Sequence, residues 1–269
     1  MIFNKKILTL LAMAVVGSCT DPDSGDISVK AVVEAYLRPG QPIEVTISKE
    51  GLFENSTIDT LEFINGLTVK INEGDNSYTL QSVGDGKYVS DEHVIVASEK
   101  IYSLDFEYEN NGVSASTYVP SRPEGFELSA NEIEINRPVP GSNPGTIPTR
   151  PEPIEVSWEN PDNDYHLVVV TVVEKDPEKI AEGGFILISG SFRNEPNTGT
   201  TYEINQISFE YYGMHAVILY KLNPEYATLY EETGNSSLNL KSPYSNVTNG
   251  LGIFTGVNCD TLYLNVKKP

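Results

Sequence analysis

A chain of 269 residues in which 38 acidic side chains oppose 18 basic ones carries a formal net charge of −20. That sign excludes nucleic acid as a natural partner, because it repels phosphate backbones and supplies none of the basic footprint such binding needs. It also opposes contact with anionic lipid headgroups, and two cysteines cannot build a disulfide framework for a chain of this length.

In chain order, Lys5 and Lys6 form a short basic region, 7–16 is an apolar run broken only by Thr9, and Gly17 and Ser18 lead into Cys19. Basic, apolar, small is the order of a secretory signal, and the run is roughly half of the ~20 apolar residues that span a bilayer. Val16-Gly17-Ser18-Cys19 resembles the lipobox of bacterial lipoproteins. The resemblance implies removal of the signal peptide 1–18 and acylation of Cys19, which becomes the membrane anchor. Each buried methylene contributes about 0.8 kcal/mol, so one acyl chain holds marginally and two or three hold stably. The alternative is an ordinary cleaved signal with a cysteine at the cut by chance. Thr20 stands where an aspartate would resemble the inner-membrane retention signal, which favours the outer membrane. Asp21, Asp23 and Asp26 in the acidic tether 19–26 resemble the surface-export signal of Bacteroidota lipoproteins, or else form a plain solvated linker.

Beyond the tether, short runs of period-two alternation recur between Gly, Asn, Asp and Pro, and the expected class is all-β. The segment 27–120 holds seven candidate strands at 29–37, 43–48, 67–71, 77–81, 87–90, 101–108 and 113–119. Turn signals at Pro39-Gly40, Gly74-Asp75, Asp85-Gly86 and Asn110-Asn111-Gly112 join them antiparallel, because Gly and Asn tolerate the positive φ of tight hairpins. The segment 121–269 starts with an edge strand at 127–135, followed by a proline-rich loop 137–153. That loop cannot be a central strand, since proline removes a ladder donor. Strands follow at 154–158, 165–174, 185–192, 202–209, 214–221 and 261–266, with one helix at 223–232 capped by Asn223 and carrying Pro224 in its first turn. The expected architecture is two immunoglobulin- or fibronectin III-like sandwiches in tandem. Trp158 follows alternating Ile154 and Val156 and reads as core, with a carbohydrate platform as the functional alternative.

Chemistry-bearing residues are sparse. His93, His166 and His215 stand far apart without a second ligand at zinc spacing, and neither a nucleophile elbow nor a phosphate loop is present. The expectation is a protein without catalytic activity, cofactor or metal. Asp162-Asn163-Asp164 and the acids of the tether only superficially resemble calcium loops. Cys259 reads as a small strand residue. Asp59-Thr60-Leu61 matches a short O-glycosylation pattern of exported Bacteroidota proteins, with Thr60 the better candidate and Asp260-Thr261-Leu262 the weaker. The glycines of Asn249-Gly250-Leu251-Gly252-Ile253-Phe254 read first as a sharp structural corner. The functional alternative is a binding edge formed by Asn249 and Phe254.

Several segments together, Val32-Val33-Glu34-Ala35-Tyr36-Leu37, 43–48, Asp85-Gly86-Lys87-Tyr88, Tyr102-Ser103-Leu104, Tyr118-Val119-Pro120 and the stretch from Ser245 to Phe254, resemble a known family. It is a family of unknown function among Bacteroidota outer-membrane lipoproteins, domain of unknown function 4249, commonly encoded beside TonB-dependent receptors. The resemblance implies a fold and a setting and transfers no catalytic residues. The expected function is an accessory binding or assembly component of a TonB-dependent nutrient uptake system, lipid-anchored at the outer membrane and exposed at the surface. A structural adhesin or fimbria-anchoring protein is the alternative, and an enzyme with a site assembled from distant strands the third.

Overall fold

Alternating apolar positions dictate the strands of the first half, since successive side chains of a strand point to opposite faces. β1 (Ala31–Leu37) buries Ala31, Val33, Ala35 and Leu37, and β2 (Glu44–Lys49) buries Val45 and Ile47. The computed structural model describes residues 29–51, 62–137, 152–181, 190–234 and 244–269. Cys19, Thr60 and nearly all of the proline-rich loop lie outside the described residues, as does most of the strand expected at 185–192. β3 (Lys70–Glu73), β4 (Asn76–Thr79), β5 (Gln81–Gly84), β6 (Lys87–Val89), β7 (Lys100–Tyr108) and β8 (Asn111–Val119) complete the first set. The β5–β6 turn uses positive φ at Asp85 and Gly86, and the β7–β8 turn at Glu109 and Asn110, as tight hairpins require.

The second half opens on a strand that changes sheets. The stretch expected as one edge strand at 127–135 is two: β9 (Glu124–Leu128) pairs with β11 (Ile154–Glu159), and β10 (Glu132–Glu134) pairs in parallel with the last strand. β12 (Tyr165–Val172), β13 (Ser191–Arg193), β14 (Thr201–Ile204), β15 (Gly213–Leu222), helix α1 (Pro224–Gly234) and β16 (Leu251–Lys267) follow. The later part of the strand expected at 202–209 is instead a 3₁₀ turn, Gln206–Ser208.

Three sheets result. β4-β3-β7-β8 and β14-β11-β9 each cover one half of a nine-stranded sheet ordered β13-β12-β15-β16-β1-β2-β6-β5, with β10 beside β16. Two cores fill the two gaps. Val33, Ile47, Tyr88, Ile71 and Leu104 belong to the first; Val156, Trp158, Val168, Leu219 and Leu264 belong to the second. Trp158 is 4% exposed and stands 5.5 Å, centroid to centroid, from the His166 ring, so it packs in the core and offers no platform face.

β16 runs through both sandwiches, and this alters the division expected at residue 120. Its first part pairs in parallel with β1, from Val32↔Leu251 to Leu37↔Gly256. Its remainder pairs antiparallel with β15, from Leu222↔Val257 to Gly213↔Val266. Val247 and Phe254 therefore pack in the first core although they follow nearly all of the second half in sequence. Gly252 makes the parallel pairing possible: its φ is +100°, and a Cβ there would lie 2.0 Å from the Val33 carbonyl oxygen. At Gly256 a Cβ would lie 2.3 Å from the Tyr118 carbonyl oxygen, so β8 crosses β16 there in backbone contact.

A hydrogen-bonded knot fixes the crossing. Asn223, just before α1, donates its side-chain amide to the Thr117 hydroxyl at 3.0 Å and to the carbonyls of Tyr118 at 2.7 Å and Gly256 at 3.1 Å. The Thr117 and Thr255 hydroxyls both donate to Glu225 Oε1, at 2.9 and 3.1 Å, and the Gly256 amide donates to Thr117 Oγ1 at 2.9 Å. Asn223 thus precedes the helix as expected, but its amide spans the two sandwiches, while its carbonyl accepts from Tyr226 N at 3.1 Å. Glu225 sits in the first helical turn, where the helix dipole favours an anion.

Candidate binding groove at the sandwich junction

The outward faces of β12 and β15 are apolar too, which an exposed strand face does not require. Val168, Val170, Val217 and Leu219 point into the core, so by period two Leu167, Val169, Tyr220 and Leu222 point the other way. The ladder places them in rows, Leu167 beside Tyr220 beside Cys259, and Tyr165 beside Leu222 beside Val257. Leu167, Leu222 and Val257 form a small buried cluster on this face, with Tyr36, Tyr165, Val169, Tyr220 and Tyr226 packed around it.

Tyr36 arrives from the outward face of β1 and Tyr226 from α1, their rings edge-on at 6.2 Å and 68°. Between them, Tyr220 and the Leu/Val floor lies a groove of about 270 Å³ whose rim carries Arg38 and Arg193. Arg193 stands opposite Val169 in the β12–β13 ladder, its guanidinium 5.3 Å from the centre of the Tyr230 ring. A wider hollow of about 670 Å³ on the first sandwich, beside Lys70, Asp105, Glu107 and Ser114, is lined by more polar groups and no tyrosine.

Burial raises the Tyr36 phenol above its ordinary value, with Glu34 adding to the effect, and burial raises Tyr220 likewise. Both stay neutral and keep a hydroxyl to donate. Burial also raises the Cys259 thiol, which keeps it protonated and unreactive near neutrality. Arg38 and Arg193 have no ion pair among the described residues, whereas Arg122 pairs with Asp260 and Arg137 with Glu178. Neutral aromatics beside unpaired guanidiniums on an apolar floor can stack, donate hydrogen bonds and hold anions.

The histidines stand elsewhere. His166 and His215 are buried, each with Nδ1 facing a carbonyl of its own chain, Asp164 O at 3.1 Å and Gly213 O at 3.0 Å. Burial lowers the pKa of both. His93 is exposed, 3.9 Å from Glu92. Among the described residues, no group of three or more His, Cys, Asp or Glu is placed to hold a metal. Asp162-Asn163-Asp164 is a turn with positive φ at Asn163, closed by Asn160 on the Asp164 backbone, and the Asp164 carboxylate is held by Lys221 at 2.8 Å.

The binding edge weighed for Asn249 and Phe254 resolves to the structural corner. Phe254 is fully buried in the first core, its backbone bracketed by the Asn246 side chain at 2.8 and 3.0 Å, so it cannot anchor a partner. Asn249 turns the chain at φ +57° and donates to the Gly112 carbonyl at 2.8 Å. Thr261 lies in β16 opposite Ile218. The residues missed in sequence are Tyr36, Arg38, Arg193, Tyr220 and Tyr226. Their signal was tyrosine and leucine at outward positions of strands already apolar on the inward side.

Residues 20–262 match the family described as Domain of unknown function (DUF4249). The chain belongs to this family. No activity comes with membership in the DUF4249 family, so the groove must be read from its own chemistry. Among curated proteins none matches the sequence. A crystal structure of chicken CNTN1 FN1-FN3 domains is similar at 12% identity, over 72% of this chain and 60% of that chain, with a TM-score of 0.25.

Proposed function

We propose that this chain is a non-catalytic lipoprotein of the outer membrane, anchored through acylated Cys19 and exposed at the surface. In this reading the junction groove docks a protein component of a TonB-dependent uptake system. The observation that carries the docking is the concentration of tyrosine and arginine on one concave face over an apolar Leu/Val floor, since tyrosine and arginine are among the side chains that dominate binding energy at protein interfaces when desolvated. The lipobox sequence supports the anchor, and the acid-rich composition suits a body held clear of anionic headgroups. A fimbrial role would draw on strand addition to an exposed sheet edge. Among the described residues the edge strands β13, β4, β5 and β14 have three or four residues each and β9 has five, and β8 is flanked by Thr248 bridged to Ser114, so the groove is better supported than an edge.

Metabolic labelling with a fatty-acid precursor tests the anchor: the native protein takes up label and the Cys19→Ala variant does not. Mild crosslinking in cells tests the docking, with recovery of a TonB-dependent receptor by the native protein and loss of that recovery in Tyr220→Ala. Unlabelled native protein would end the lipoprotein reading, and receptor recovery indifferent to Tyr220 would end the docking one.

A further inference from the structure

We infer that the groove takes an acidic segment of a protein partner, an apolar side chain seated on Leu167, Leu222 and Val257 with flanking carboxylates held by Arg38 and Arg193. This rests on the docking reading above and adds the chemistry of the occupant. Size comes first. Pockets that enclose a whole small ligand run to about 300–1,000 Å³, so a groove of about 270 Å³ suits one anchoring side chain of a larger molecule.

Charge then selects among segments. In a chain of net charge −20 carboxylates are plentiful, yet among the described residues Arg38 and Arg193 are the two arginines without a carboxylate partner, while Arg122 and Arg137 are paired. Guanidiniums bind carboxylates in a two-pronged geometry that an amide or hydroxyl cannot match. A basic segment would meet two unpaired cations at its seat. Glu34 and Glu44 line the adjoining basin that shares Arg38 and Tyr36. They repel an anion on that side, so the two arginines become the local positive focus and fix where the carboxylates lie.

The test measures binding of full-length lipoprotein, in detergent, to three synthetic peptides with the same central phenylalanine flanked by Asp/Glu, by Asn/Gln or by Lys. The acidic peptide is expected to bind at least about tenfold more tightly than the neutral one and to weaken with added salt. In the double variant Arg38→Glu with Arg193→Glu, both sites being exposed, the preference should invert toward the lysine peptide. Arg38→Gln with Arg193→Gln should erase it, and Tyr220→Ala should weaken all three. Equal binding of all three peptides that still depends on Tyr220 overturns the acidic-partner inference and leaves docking intact. Absence of binding to any peptide, or displacement of the acidic peptide by an oligogalacturonate that binds more tightly, also overturns it.

Discussion

His166 and His215 show most simply how one residue's surroundings set a property of the whole. Burial lowers both imidazoles below the ordinary value of 6.5, so the folded chain binds protons less readily than the unfolded chain. Stability from such a group is fully present above 6.5 and is lost as pH falls from there toward the lowered native value. The urea midpoint of the native protein should therefore drop between about pH 7.5 and about pH 5.5, before most carboxylates titrate. His215 stands edge-on to Phe209 at 5.1 Å, so His215→Phe keeps a ring in place and should make the drop shallower, leaving the part due to His166. A midpoint that stays level in the native protein over that interval would contradict the assignment. Residue-scale readings that depended only on neighbours in sequence served well: Trp158 was legible as core because Ile154 and Val156 set its face. Phe254 was legible as a corner residue but not as part of the first core, because its contacts come from strands some 200 residues earlier in the chain.

At the scale of elements, period-two alternation located nearly every described strand, since it reports burial of one face and needs no knowledge of the partner. It failed where a strand answers to two sheets. The first part of β16 was invisible because Gly252 and Gly256 interrupt the pattern to let Val33 and Tyr118 approach. The expected single strand at 127–135 is instead parts of β9 and β10, because the break between them falls at Ser129-Ala130-Asn131, which holds no Gly or Pro to mark a turn. The knot at Asn223 is what such a crossing needs to hold its angle. Asn223→Ala should cost about 1–3 kcal/mol by removing the amide that the Tyr118 and Gly256 carbonyls share and leaving them only longer contacts from the Thr117 and Thr255 hydroxyls. Asn223→Asp should cost more, since it turns a carboxylate toward two carbonyls and Glu225; equal denaturation midpoints for the two variants would argue against a donor role.

At the scale of the molecule, the nine-stranded sheet makes the two sandwiches one mechanical unit, and two independently folding modules are not expected. Trp158 reports the second core alone, whereas far-ultraviolet circular dichroism reports both. Their urea transitions should coincide; a tryptophan transition well separated from the dichroism transition would show the halves unfolding apart. The same continuity creates the groove, whose walls come from β1, β12, β15, β16 and α1, and this explains why the sequence hid it. Tyr36 and Tyr220 become neighbours only once β16 joins the halves, and no local pattern records that. The most direct test of the central claim places a photo-crosslinking amino acid at Tyr220 or, as a control, at the exposed Val83 on the far end of the sheet. In growing cells the Tyr220 position should yield an adduct with an outer-membrane TonB-dependent receptor and the Val83 position none. No adduct at Tyr220, or the same adduct from both positions, would contradict a docking role for the groove.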